Sequence, residues 1–275
     1  MSFTTADVVK LRKVTGAGMM DCKGALADAG GNFERAVEII REKGKLVANK
    51  RADRDAAEGV VLAKVSDNRK LGALVVLNCE TDFVAKNENF VVFADSILNI
   101  AIANNADSLE TVKSLYLNGR TIEAQVTEQT GVIGEKIELS YYSKIDAETV
   151  VSYIHPGNKL ATLVGFNKPG IDVQLAKDVA MQVAAMAPVA VDKDFVSQEV
   201  IDKELAIAKE KFRLEGKPEA MLDKIAQGAL QKFFQESTLL NQTFVKDGKI
   251  SVKEYLAQNN KDLTVTSFDR YTLNL

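Results

Sequence analysis

Tryptophan is absent from the chain of 275 residues, histidine occurs once, as His155, and cysteine twice, as Cys22 and Cys79. A zinc site of three or four nitrogen and sulfur ligands would need all three of those residues to converge. No Cys-x-x-Cys spacing exists, so neither a metal nor a cofactor is expected. Two thiols in a chain this long point to a reducing compartment. Excess positive charge is missing too: 35 Lys and Arg face 38 Asp and Glu, a formal net charge of −3. That leaves no general footprint for a phosphate backbone, so direct nucleic-acid binding is not expected. No apolar run approaches the roughly 20 residues of a membrane span. The start, Met1-Ser2-Phe3-Thr4-Thr5-Ala6-Asp7, lacks the basic-then-apolar order of a signal peptide. Gly16-Ala17-Gly18 is not preceded by a strand and lacks the following Lys-Ser/Thr of a phosphate-binding loop. The expectation is a cytoplasmic protein, off the membrane, whose work is not acid–base catalysis.

What is present suffices for real cores: 46% of residues are hydrophobic and 27% charged, and the length suggests about two domains at roughly 150 residues each. The first 44 residues read as three short helices. Thr4 and Asp7 make a capping-box start for a helix carrying Val8, Leu11 and Val14. Met19, Met20, Cys22, Ala25, Leu26 and Ala29 follow as a second helix that stops at Gly30-Gly31. Asn32 caps a third with Phe33, Ala36, Val37 and Ile40, and Gly44 is its predicted exit. Such a unit resembles a ubiquitin-associated-type domain. Lys43 to Arg54 is rich in Lys and Arg; a phosphate or RNA contact is weighed against a solvated helical linker, and so few charges favour the linker.

Beyond residue 56 the pattern turns to strands. Val60–Val65 and Leu71–Asn78 are β-rich runs around Ser66-Asp67-Asn68-Arg69, followed by a helix with Phe90, Phe93, Ala94, Ile97, Leu98 and Ala101 on one face. The order recurs from Ala147: Ala57-Glu58-Gly59-Val60-Val61 is echoed by Ala147-Glu148-Thr149-Val150-Val151, and Asn68–Val75 by Asn158–Val164. A helix over Val173–Ala185 completes the echo. This is a duplicated hairpin-plus-helix unit, which predicts an α+β core of two sheets, each with a face covered by helix. Asp192–Glu236 is charged and helical, split at Glu215-Gly216-Lys217-Pro218, and reads as an inserted antiparallel helical hairpin. The chain returns through Phe244-Val245, a helix over Val252–Asn259 and a strand over Thr264–Leu273 that rejoins the second sheet. The resulting division is 1–44, a basic linker 45–55, core subdomains 56–145 and 146–191 with 237–275, and the insertion 192–236.

Few residues offer chemistry. Cys22 and Cys79 read as small core residues, and His155, in Tyr153-Ile154-His155-Pro156-Gly157, as a surface or hydrogen-bonding residue. A thiol enzyme pairing either cysteine with His155 is a rival reading, but no motif supports a triad. In Cys79-Glu80-Thr81-Asp82-Phe83-Val84-Ala85-Lys86 a large aromatic stands beside a carboxylate in a strand-to-helix loop. On residues alone Phe83 caps the core while Thr81 or Asp82 caps the helix; the other reading is a wedge for a partner's pocket.

Thr15-Gly16-Ala17-Gly18-Met19-Met20-Asp21-Cys22-Lys23 and Asn78-Cys79-Glu80-Thr81-Asp82-Phe83-Val84-Ala85, with the duplicated core and the helical insertion, resemble the bacterial translation elongation factor Ts family over essentially the whole chain. Members are guanine-nucleotide exchange factors for the GTPase elongation factor Tu. The resemblance implies that Thr81, Asp82, Phe83 and Val84 dislodge the partner's Mg²⁺, with Phe83 entering a pocket of its GTPase domain. It implies partner contacts at Arg12, Met19, Met20 and Lys23, at Ile133, Gly134 and His155, and at Val245, where the family's apolar neighbour is here Lys246. It further implies exchange without covalent chemistry, and a homodimer through the core or through the coiled-coil hairpin. The C-terminal helical module of some members is expected to be missing. The alternative is a scaffold or chaperone adaptor with a ubiquitin-associated-like domain.

Overall fold

Residues 3–274 are described by the structure, a computed structural model; Met1, Ser2 and Leu275, at the ends of the first and last expected segments, lie outside the described residues. The chain is a mixed helix-and-sheet protein. Among the described residues no helix is long and apolar enough to cross a membrane.

Helices α1 (Thr5–Thr15), α2 (Met19–Asp28) and α3 (Phe33–Lys50) come first. The capping box forms: Asp7 Oδ2 accepts from the Thr4 N–H and hydroxyl, both at 2.8 Å, and Thr4 Oγ1 accepts from the Asp7 N–H. Gly16, in the left-handed region at φ 72°, ends α1, and the Asn32 carboxamide caps α3. Val8, Leu11, Cys22, Ala25, Leu26, Ala36 and Ile40 form the core of the unit.

The exit predicted at Gly44 is not there. Helix α3 runs on to Lys50, so much of the stretch expected as a basic linker is its last turns. Gly44 is buried in mid-helix because α3 crosses a later helix (Ile122–Ile133) at Gly131: a Cβ on Gly131 would stand 2.1 Å from the Gly44 Cα. Glycine inside a helix costs roughly 0.5–1 kcal/mol in backbone freedom; here the missing Cβ of Gly131 permits backbone-to-backbone contact, whereas a Cβ on Gly44 would meet the Gly131 Cα at 3.6 Å, an ordinary contact.

Strands β1 (Glu58–Val65) and β2 (Leu71–Cys79) form the first hairpin, followed by the four-residue helix α4 (Asp82–Ala85) and by α5 (Glu88–Ala103). The sequence pattern assigns no elements to the next stretch, which forms α6 (Leu109–Ser114), the short pair β3 (Tyr116–Leu117) and β4 (Arg120–Thr121), α7 (Ile122–Ile133) and β5 (Glu138–Asp146). Strand β5 pairs antiparallel with β2. The second hairpin is β6 (Thr149–Ile154) and β7 (Leu160–Phe166), followed by α8 (Val173–Met186). Helices α9 (Gln198–Leu214) and α10 (Glu219–Ser237) then pack side by side in opposite directions, with Lys209–Asp223 and Arg213–Glu219 ion pairs at 2.5 and 2.8 Å. Strands β8 (Thr243–Phe244) and β9 (Asp247–Ser251) and helix α11 (Val252–Asn259) lead to β10 (Val265–Thr272), which pairs with β7.

The duplication is thus visible as two three-stranded antiparallel sheets, β1-β2-β5 and β10-β7-β6, each with its hairpin's second strand at the centre. Alternate side chains of a strand face opposite ways. Val60, Leu62, Val75 and Leu77 meet Phe90, Ala94, Ile97 and Leu98 of α5. Their neighbours Val61, Ala63, Leu74 and Val76 meet Val150, Ala161 and Leu163 of the other sheet. Val164 and Phe166 meet Leu175, Val179 and Val183 of α8. The order is helix, sheet, sheet, helix, and both faces of β2 and β7 are buried, which is why they read as unbroken apolar runs.

The Gly44–Gly131 contact makes a sharp expectation. Gly131→Ala should lower stability by roughly 1–3 kcal/mol, because the added methyl meets backbone and not a movable side chain. Gly24→Ala in α2, where a Cβ would meet nothing within 4 Å, should be neutral or stabilising by up to about 1 kcal/mol. Thermal melts of the two variants against the parent distinguish them.

Candidate functional site

The loop from Cys79 to Lys86 is held to the core at Cys79, Glu80, Thr81, Val84 and Ala85. Cys79 ends β2 fully buried, its S–H directed at the Thr81 carbonyl at 3.1 Å. Burial, with the charge of Glu135, pushes its thiol up to about 12, so it is un-ionised at neutral pH. Glu80 Oε1 accepts from Arg51 Nη1 at 2.7 Å and from the Lys136 N–H at 2.6 Å; the Lys136 N–H, with help from Arg51, holds this carboxyl below the usual range against the effect of burial. Thr81 has extended backbone and caps α4, accepting from the Val84 N–H. Its own N–H and hydroxyl donate to the two oxygens of Glu135, at 3.0 and 2.7 Å. Asp82 pairs with Lys86 at 2.6 Å, a contact that lowers the pKa of Asp82 and raises that of Lys86.

This anchoring decides where Phe83 goes. Val84 packs half-buried on the α5 side of the first sheet and Ala85 is buried. One turn of helix cannot also send Phe83 inward, and it stands 82% exposed. The reading of Phe83 as a cap on the core is therefore corrected: Val84 and Ala85 occupy that role, and Thr81 caps the helix.

Ile133 and Gly134 lie beside this loop. Gly134, at φ 81°, ends α7 and turns the chain so that Glu135 and Lys136 face Thr81 and Glu80. Gly16, Val84, Phe90, Val132 and Ile133 line one groove of about 350 Å³, which brings the N-terminal unit to the same place. In that unit Arg12, Met19, Met20 and Lys23 are exposed, Met20 at 75%. His155 is exposed in the β6–β7 turn, its Nδ1 2.9 Å from the Tyr153 hydroxyl. That turn rests on β1 through the Val61 N–H to the Asn158 carbonyl at 2.7 Å and the Lys159–Glu58 ion pair at 2.8 Å, and the charge of Lys159 is felt at Asp82. Cys22 and Cys79 are both buried and His155 is engaged by a tyrosine, so the pairing a thiol enzyme needs is not formed.

Val245 stands apart, on the α8 side of the second sheet. It is exposed, and its N–H donates to Gln182 Oε1 at 2.8 Å. Lys246 folds back from it onto Asp178 at 2.6 Å. Glu135, Glu80 and Arg51 were not singled out by the residue pattern. Arg51 in particular sits in the stretch read as solvated, yet it is tied to Glu80.

Asp178 is buried, and Gln174 at 2.7 Å and Tyr255 at 3.0 Å also donate to it. Burial pushes its carboxyl up, but the hydrogen bonds from Lys246, Gln174 and Tyr255 together bring it below the ordinary value. A depressed folded-state pKa contributes stability that is present above the unfolded value and lost as pH falls through the folded one. Asp178→Asn should therefore destabilise the protein at pH 7 by roughly 1–3 kcal/mol. It should also flatten the loss of stability below the ordinary aspartate value of 3.8. Urea titrations of both proteins at neutral and acid pH measure this; parallel pH profiles would refute it.

Residues 80–274 match the family model described as elongation factor TS. The chain is 53% identical to elongation factor Ts of Porphyromonas gingivalis over 275 residues, covering 100% of this chain and 99% of that protein. It is 48% identical to that of Azobacteroides pseudotrichonymphae, covering 100% of both, and 51% identical to that of Christiangramia forsetii, covering 98% of both. With a match over this much of its length and identities this high, the chain belongs to the elongation factor Ts family and is a translation elongation factor of protein biosynthesis.

Proposed function

We propose that the chain is a guanine-nucleotide exchange factor that binds elongation factor Tu in its GDP form, dislodges Mg²⁺ from it and promotes GDP release so that GTP rebinds. The observation that carries this reading is Phe83, an aromatic 82% exposed on a four-residue helix whose Val84 and Ala85 pack on the core and whose capping Thr81 is tied to Glu135. A large apolar side chain held in water by a rigid support is what an interface anchor requires. Thr81, Asp82, Phe83 and Val84 act at the metal; Arg12, Met19, Met20, Lys23, Ile133, Gly134 and His155 extend the contact, and Val245 reaches a more distal part of the partner. The three N-terminal helices serve as a ubiquitin-associated-like unit, 56–145 and 146–191 with 237–275 as the two core subdomains, and 192–236 as a coiled-coil hairpin for self-association. The setting is the cytoplasm.

The physical account needs no bond made or broken. Mg²⁺ demands near-ideal octahedral geometry, so displacing the elements that hold it weakens the nucleotide without touching it. Coupling is reciprocal: a factor that weakens the nucleotide is weakened by it equally, and either GDP or GTP expels the factor. A coupling of about 4 kcal/mol changes affinity by roughly 10³-fold. One aromatic anchor supplies about 2 kcal/mol as a hot spot; the remainder is spread over the other contacts. Lys246 offers the partner an ammonium stem where the family has an apolar side chain, and its engagement with Asp178 leaves Val245 as the apolar element there.

Release of a fluorescent GDP analogue from elongation factor Tu, with and without this protein, is the test. Phe83→Ala should melt as the parent does and slow release at least about tenfold, the worth of a hot-spot aromatic. Tight binding with no acceleration by the parent protein would make it a scaffold and overturn the reading.

A further inference from the structure

The two loops that flank Phe83 exchange carboxylates. Glu80, one residue before Thr81, accepts the Lys136 N–H, and Glu135, one residue before Lys136, accepts both donors of Thr81. Arg51, just past the last turn of α3, closes the arrangement on Glu80. Three segments distant in sequence are thereby pinned within hydrogen-bonding range of one another: the end of the helix that carries the N-terminal unit, the start of α4, and the turn after α7.

A four-residue helix has no means of holding its own direction, since its internal hydrogen bonds do not repay the cost of nucleation. The direction of Phe83 is therefore set by what grips α4 from outside. Two grips exist. Val84 and Ala85 press inward on the first sheet, which fixes depth but leaves the helix free to swivel about that apolar contact. The paired bonds from Thr81 to Glu135 supply the second point, at the N-cap, and two bonds to one planar carboxylate also fix rotation. With a single grip Phe83 sweeps an arc; with both it has one direction.

We propose that Glu135, braced by Glu80 and Arg51, is a positioning residue that fixes the direction of Phe83, so that its loss lowers the maximal rate of nucleotide release while leaving affinity for the GTPase nearly unchanged. This rests on the reading of Phe83 as the working side chain. Glu135 is itself half-buried behind Thr81, and it acts through Thr81 and α4 rather than on the partner.

The test is GDP release from elongation factor Tu loaded with a fluorescent GDP analogue, titrated with the full-length parent, Glu135→Ala, Glu135→Gln, Phe83→Ala and the Phe83→Ala/Glu135→Ala double variant. Misplacing a working group by about 1 Å is costly, so Glu135→Ala should lower the maximal rate by roughly tenfold. The half-saturating concentration should move less than about threefold, the pattern of an interaction used only in the productive complex. Glu135→Gln keeps one accepting oxygen and should recover most of the rate. In the Phe83→Ala background the same Glu135→Ala change should slow release by less than about twofold, since coupled residues are not additive. Equal slowing in both backgrounds, an effect confined to the half-saturating concentration, or no effect of Glu135→Ala would overturn the proposal. If Glu135→Ala loses its cooperative melt, Glu135→Ser, whose side chain is too short to reach both Thr81 donors, decides in both backgrounds by the same criteria. If Phe83→Ala alone releases nucleotide as fast as the parent, the reading of Phe83 has failed, and the role given to Glu135 falls with it.

Discussion

One aliphatic layer holds the molecule together. Val61, Leu74 and Val76 from the first sheet press against Val150, Ala161 and Leu163 from the second. The fit is close enough that a Cβ on Gly72 would stand 2.6 Å from Val150 Cγ1 and 3.0 Å from Leu163 Cδ2. Non-directional burial sets how tightly the sheets pack, while the glycine sets how near they come. Three of the segments given a role in the proposed function are attached around that layer. The Phe83 loop continues β2, the His155 turn joins β6 to β7, and the Val245 segment rests on α8. The layer makes their separations rigid properties of the fold.

A rigid frame suits the exchange role proposed above. A protein that does its work by mechanical fit must keep its contact points at fixed distances, because any give in the frame absorbs the strain meant for the partner. The polar links found here are placed accordingly. They tie the N-terminal unit, α4 and the end of α7 together at one corner, while the glycine crossing of α3 on α7 brings the same two bodies into backbone contact. Apolar packing and hydrogen bonding fix the same junction from two directions.

Sequence reading recovers what local rules control. The capping box at Thr4, the break at Gly216, the two hairpins and their helices all follow from residues within a turn or two of one another. It fails where a distant partner decides. Gly44 has the look of a helix exit, and only Gly131, far along the chain, makes it an interior residue. Helix α7 is hard to see because its buried face includes Gln125 and Thr130 among its apolar residues, which blurs the period. Strand β5 buries only Leu139 and Ile145, since it lies at the edge of its sheet and Tyr141 and Tyr142 between them are only half-buried. At the candidate site the segment 81–84 was legible as an oddity, but the exposure of Phe83 was not. An aromatic in a loop ordinarily turns inward, and only the resemblance pointed it outward. Glu135 carried no signal at all, for a lone acidic residue after a glycine is indistinguishable from surface decoration.

The order of strands in the second sheet has a consequence for synthesis. Its central strand, β7, is buried along its whole length, yet one of its two partners, β10, comes long after it in sequence, at Val265–Thr272. The intervening segment includes α8, the α9–α10 pair and α11. While a ribosome extends the chain through them, β7 has β6 on one side and an unpaired apolar edge on the other. Open edges of this kind recruit foreign strands, and at roughly 5–20 residues added per second the exposure lasts several seconds. In the first sheet the interval is shorter, because β5 begins at Glu138, soon after β2 ends at Cys79 by comparison with the stretch from Phe166 to Val265. The nascent protein is thus most vulnerable to aggregation while the segment between β7 and β10 is being made.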